Sequence, residues 1–106
     1  MLTKRVLRSA FSPLAALALL SSAQATEQMT TRGAAVMNAC AACHGPGGHS
    51  QGVIPSIDAM PKESFKAALQ AFRSDERQGT VMNRIAKGLD DADIEALTAF
   101  LFSSPR

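Results

Sequence analysis

The sequence predicts a small all-α domain of about four helices, on three observations. Apolar residues recur at helical spacing in two stretches, Phe65, Leu69 and Phe72, then Ile94, Leu97 and Leu101. Start and stop residues bracket them: Pro61 before the first, Gly88 and Asp90 before the second. No alternating run of strand type and no internal repeat interrupts them.

Residues 1–25 read as an export leader outside that domain. Lys4, Arg5 and Arg8 form a basic start, Leu14 to Leu20 is an apolar run of Leu and Ala only, and Ala23-Gln24-Ala25 has the small residues of a signal-peptidase site. The expected organisation is a cleaved signal peptide, 1–25, and one domain, 26–106, starting at Thr26. The apolar run is far shorter than the roughly 20 residues that span a bilayer, which argues against a retained membrane anchor. Lys4-Arg5 followed by Arg8 is not a twin-arginine pair, so the chain is expected to cross unfolded into the periplasm. Without the leader the formal charge falls from +2 to −1, eight Lys and Arg against nine Asp and Glu. The basic balance belongs to the leader, so neither nucleic acid nor an anionic membrane is expected as a partner.

Met29 to Ala42 reads as the first helix, with Thr30 or Thr31 as its cap and Ala34, Ala35, Val36, Met37, Ala39 and Ala41 as good or small helix residues. Gly33 costs about 1 kcal/mol there relative to alanine. It fits either a close approach by another helix or a frayed first turn. The helix runs into Cys40-Ala41-Ala42-Cys43-His44, around which the rest of the chain is organised.

Positions i, i+3 and i+4 share a helix face. Two thiols can therefore meet two vinyl groups at one porphyrin edge while the imidazole reaches the iron. The spacing is that of c-type haem attachment, with Cys40 and Cys43 as thioether anchors and His44 as proximal ligand of one covalent haem c. A thioredoxin-like pair would need a βαβ surround. Zinc would need a fourth ligand and cannot readily take adjacent Cys43 and His44, and a plain disulfide leaves His44 without a role. A haem also supplies what a short chain lacks, a flat apolar object that serves as core as well as cofactor.

Gly45 to Gly52 is a loop by composition, with four glycines. His49, five residues past His44, is too near to cross to the other haem face and reads as an exposed loop histidine. A ligating imidazole needs an acceptor for its other ring N–H, and the Pro55 carbonyl is nominated for that place. Pro61 to about Arg73 forms the second helix, with Pro61 at its first position. Thr80 to Gly88 forms a short third, capped by Thr80 and stopped by Gly88. Asp90 caps the last, with Asp93 three positions on and Phe100 beside the inward stripe. The net basic stretch from Lys62 to Lys87 and the acidic one from Asp90 to Glu95 fit either partner steering or ordinary solvation.

The residue opposite His44 decides what the iron can do. A thioether that closes it suits electron transfer, and an open site suits ligand binding or chemistry. Met29 and Met37 precede the anchor on its own helix and read as core or surface. Met82 lies 38 residues beyond His44 and has enough intervening chain to reach the distal face; Met60 is the runner-up.

Cys40 to Gly45, the glycine loop, and Thr80-Val-Met82-Asn-Arg-Ile-Ala-Lys-Gly88 with the acidic helix start and late aromatic after it resemble class I cytochromes c. More narrowly they resemble the small cytochrome subunits of flavocytochrome c sulfide dehydrogenases, over Met29 to Phe102. The resemblance implies Met82 as distal iron ligand and a crossing of the first and last helices with Gly33 near Phe100. It also implies a periplasmic electron-transfer protein rather than an enzyme, taking single electrons from a FAD-containing sulfide dehydrogenase flavoprotein. The chain departs from some relatives in having one haem motif, and it has no Trp or Tyr to meet a haem propionate. Arg73, Arg77 and Arg84 read as solvated rather than as substitutes. A free-standing soluble carrier, and a haem enzyme or gas sensor with an open distal site, stay as alternatives.

Overall fold

The computed structural model describes residues 13–103, so Lys4, Arg5, Arg8 and the terminal Ser104 to Arg106 lie outside the described residues. The described chain is helical, with no strand: α1 Pro13–His44, a 3₁₀ turn Pro46–Gly48, α2 Lys62–Arg73, α3 Met82–Lys87 and α4 Asp91–Leu101. The all-α architecture of four helices is the one the periodicity predicts.

α1 begins well before Met29. Thr30 and Thr31, expected as caps, lie inside it, and their hydroxyls donate back to the carbonyls of Thr26 and Glu27 at 3.0 Å each. A threonine satisfied within the helix in this way does not end it. Leu14, Leu17, Leu19 and Leu20 are exposed along its first part, and no described helix is long and apolar enough to cross a membrane.

Gly33 marks the crossing of α1 with α4. A β-carbon there would meet the Ala96 carbonyl oxygen at 2.3 Å and Phe100 Cβ at 2.7 Å. The glycine serves close helix approach, and the frayed-turn alternative falls away. Gly33→Ala is expected to lower stability by about 1–2 kcal/mol, overpacking of about 1–3 kcal/mol outweighing about 1 kcal/mol of helix propensity. Thermal unfolding of the haem-loaded protein checks this, and an unchanged or raised midpoint would mean that α4 yields.

The core beneath the crossing is small: Met37 from α1, Ile57 from the loop, Phe65 and Leu69 from α2, Ile94 and Leu97 from α4. Phe65 and Phe102 meet edge to face, with centroids 5.6 Å apart. Pro61 stands at the N-cap of α2, one position before the expected one. α4 opens on the anticipated capping box, Asp93 N–H donating to Asp90 Oδ1 at 2.7 Å and Asp90 N–H to Asp93 Oδ2 at 3.0 Å. Arg32 reaches across from α1 to both carboxylates, at 2.7 Å to Asp93 and 2.9 Å to Asp90. Its hydrogen bond, with the Asp90 backbone N–H second, holds the Asp93 carboxyl below the usual carboxylate range.

The acidic stretch of α4 is not a bare face. Lys66 pairs with Glu95, and Arg73 pairs with Asp91 at 2.5 Å while donating to the Leu89 carbonyl at 3.2 Å. Arg73 is thus a tie between α2 and the entry to α4, and Arg77 lies over the Phe72 ring, 4.7 Å from its centroid. Arg77 and Arg84 both stand exposed, and Arg73 alone of the three arginines is half-buried.

Candidate functional site

α1 presents Cys40, Cys43 and His44 in its final turns and ends there. Gly45 breaks the helix at φ +88°, in a spot where a β-carbon would lie 2.0 Å from the His49 carbonyl oxygen. Three residues on, the Gly48 carbonyl accepts from the backbone N–H groups of Ile57 at 2.8 Å and Asp58 at 3.2 Å. These two bonds turn the 53–56 segment back toward the end of α1.

Pro55 O consequently comes within 2.5 Å of His44 Nδ1. A carbonyl oxygen can only accept, so a proton belongs on Nδ1, and in the neutral ring the lone pair is then on Nε2. A neutral imidazole held in this tautomer is the form that ligates a metal.

Cys40 is half-buried and Cys43 exposed, and the two form no disulfide with each other. Burial pushes the Cys40 thiol up, against the lowering effect of its backbone hydrogen bond. That is opposite to the depressed thiol of a redox-active Cys-x-x-Cys pair. His49 keeps 70% of its side chain exposed and lies 3.2 Å from Asp58 Oδ2, as a loop histidine.

The four methionines among the described residues divide two and two. Met37, 5% exposed, belongs to the core and Met29 to the surface. Met60 and Met82 are both half-buried, and both pack against the same apolar cluster as Cys40. Met82 is the first residue of α3, whose N-cap is Val81 without any side-chain cap. Thr80 does not cap this helix as expected. The structuring residue of the region is Asn83, which the sequence reading passes over: its side chain bonds backbone groups of Phe72, Arg77 and Gly79. An amide directly after a candidate ligand, at a helix start with no capping side chain, is the signal that could have found it.

These residues fit a haem. Two thiols and an imidazole with a free lone pair face one short stretch of chain. Val53 and Ile54 after the glycine loop, and Val81 and Ile85 flanking Met82, stand exposed as large apolar side chains. An apolar prosthetic group is the kind of ligand that such side chains cover.

The chain matches the Cytochrome c family model over residues 30–105. It is 39% identical over 70 residues to the cytochrome subunit of sulfide dehydrogenase of Chlorobaculum tepidum, a match covering 66% of this chain and 64% of that one. The chain therefore spans just under two thirds of that relative's length. It is also similar to cytochrome c-553 of Desulfomicrobium norvegicum, 32% identical over 65 residues, covering 58% of this chain and 81% of the relative. The cytochrome c-553 of Helicobacter pylori is 33% identical over 75 residues, with 69% and 78% covered.

Proposed function

The chain belongs to the cytochrome c family, as a haem c electron carrier rather than an enzyme, and on that footing we propose that it is the periplasmic haem subunit of a FAD-containing sulfide dehydrogenase. Haem c supplies a one-electron centre. Cys40 and Cys43 would tether it by thioether bonds, and His44 through its imidazole nitrogen and Met82 through its sulfur would hold the iron. The Pro55 carbonyl orients His44 and strengthens it as a donor by accepting its other proton. Held on both sides by side chains of this chain, the group would supply one-electron transfer without an open site for a substrate. Residues 1–25 direct export and are removed after Ala25.

The observation that carries the closed-iron reading is the packing of Cys40 and Met82 against one apolar core. The sulfide assignment is supported by the 39% identity to a sulfide dehydrogenase cytochrome subunit. A free-standing carrier is the second reading, supported by the 81% and 78% coverage of two relatives whose names, cytochrome c-553, mention no partner subunit. Affinity purification from the native cell separates the two. A flavoprotein is expected to co-purify and sulfide oxidation to fall when the gene is deleted; no flavoprotein and unchanged sulfide oxidation would leave a free carrier.

A further inference from the structure

We propose that Asn83 is the positioning residue for the Met82 sulfur, which it holds by clamping the turn before α3; this rests on Met82 being the distal ligand. Asn83 Oδ1 accepts from the Gly79 N–H at 2.8 Å. Its Nδ2 faces three oxygens, the Arg77 carbonyl at 2.7 Å, the Phe72 carbonyl at 3.1 Å and Asp75 Oδ1 at 3.1 Å. One donor N–H must be met by an acceptor, and three acceptors by a donor. Only one orientation of an amide side chain does both. Aspartate has the same shape but would set its carboxylate against three oxygens.

The clamp reaches Met82 through Gly79. A β-carbon on Gly79 would lie 2.9 Å from Phe72 Cε1 and 3.5 Å from Met82 Cβ, so the glycine is a spacer between that ring and the methionine. The Asn83 amide fixes this spacer from the next residue along. Asp75, which the turn holds at a positive φ of 61°, is kept there by Asn83 on one oxygen and by Lys87 at 2.6 Å on the other. α3 has only six residues and no side-chain cap at Val81, so its register at Met82 leans on the bonds of the Asn83 side chain to the turn before it.

The experiment titrates oxidised haem-loaded protein with exogenous imidazole, which competes with the thioether for iron. The long-wavelength charge-transfer band of a thioether-ligated ferric haem reports the native bond. Asn83→Ala is expected to bind imidazole about tenfold more tightly, equivalent to about 1.4 kcal/mol. Asn83→Ser retains one hydroxyl acceptor and is expected to shift in the same direction by less, which keeps the test usable where the alanine variant yields no folded protein. Ile94→Val, in the core and outside the hydrogen bonds of the clamp, is expected to lower thermal stability with imidazole affinity unchanged. Wild-type affinity in both Asn83 variants would overturn the proposal, and so would an equal rise in Ile94→Val, which would trace the effect to general loosening. A wild-type protein without the thioether band would remove the Met82 reading first, visible before any variant is made.

Discussion

Protein carrying Cys40→Ala and Cys43→Ala together is expected to show no cooperative thermal transition, where the haem-loaded protein shows one. The buried apolar residues of the described chain are Met37, Ile57, Phe65, Leu69, Ala86, Ile94, Ala96 and Leu97, and two of those eight are alanines. A single core in a chain below about 70–80 residues rarely supplies more than about 3–5 kcal/mol, and the family match, residues 30–105, lies within that range of length. Val53 is fully exposed, and Val81 and Ile85 are more than half so, which leaves apolar surface that the polypeptide alone does not bury. The tethered haem is the element that completes the core, and removing both tethers removes it. Helical signal from α1 alone can persist, so the measurement is the cooperativity of melting, followed by circular dichroism on both proteins. A sharp transition in the haem-free double variant would show that the helices carry the fold unaided.

What the sequence made legible is what is encoded within one or two turns of chain. The inward stripes of α2 and α4, the Asp90–Asp93 capping box and the Gly88 stop are all local signals, and the helices they mark are present, with α2 and α3 each starting one residue later than expected. The start of α1 was not legible, because Thr30 and Thr31 are good caps in isolation and equally at ease inside a helix whose carbonyls accept their hydroxyls. Gly33 fits two readings by sequence alone, and the partner helix 63 residues on decides between them. The pairing of Arg32 with Asp90 and Asp93, 58 and 61 residues away, has no local signature at all. The site divides along the same line. The cysteines and His44 lie within five residues, and the need of a ligating imidazole for an acceptor pointed to the nearby Pro55 carbonyl. Asn83 takes its partners from a folded turn, and that turn is tertiary structure.

Met82→Ala is expected to convert a closed, low-spin haem into one that binds carbon monoxide directly when reduced, and to lower its potential. A neutral, polarizable thioether favours the reduced iron, and axial ligand choice moves haem potentials over about 0.8 V, so a fall on the order of 0.1 V or more is expected. Met60→Ala is the informative comparison, because Met60 and Met82 pack against the same cluster and are both half-buried. Truncating either side chain removes similar apolar contact, at about 2–5 kcal/mol, so loss of stability cannot tell ligand from packing. Spin state, potential and carbon monoxide affinity can, since they respond to the bond at iron. With Met82 as ligand, Met60→Ala keeps the low-spin spectrum and the potential while melting earlier. The reverse pattern would make Met60 the ligand and move the distal contact from the start of α3 to the residue before Pro61. A wild-type protein that already binds carbon monoxide without losing a sulfur ligand, with neither variant changing that, would leave the iron open and the electron-transfer assignment without its closed site.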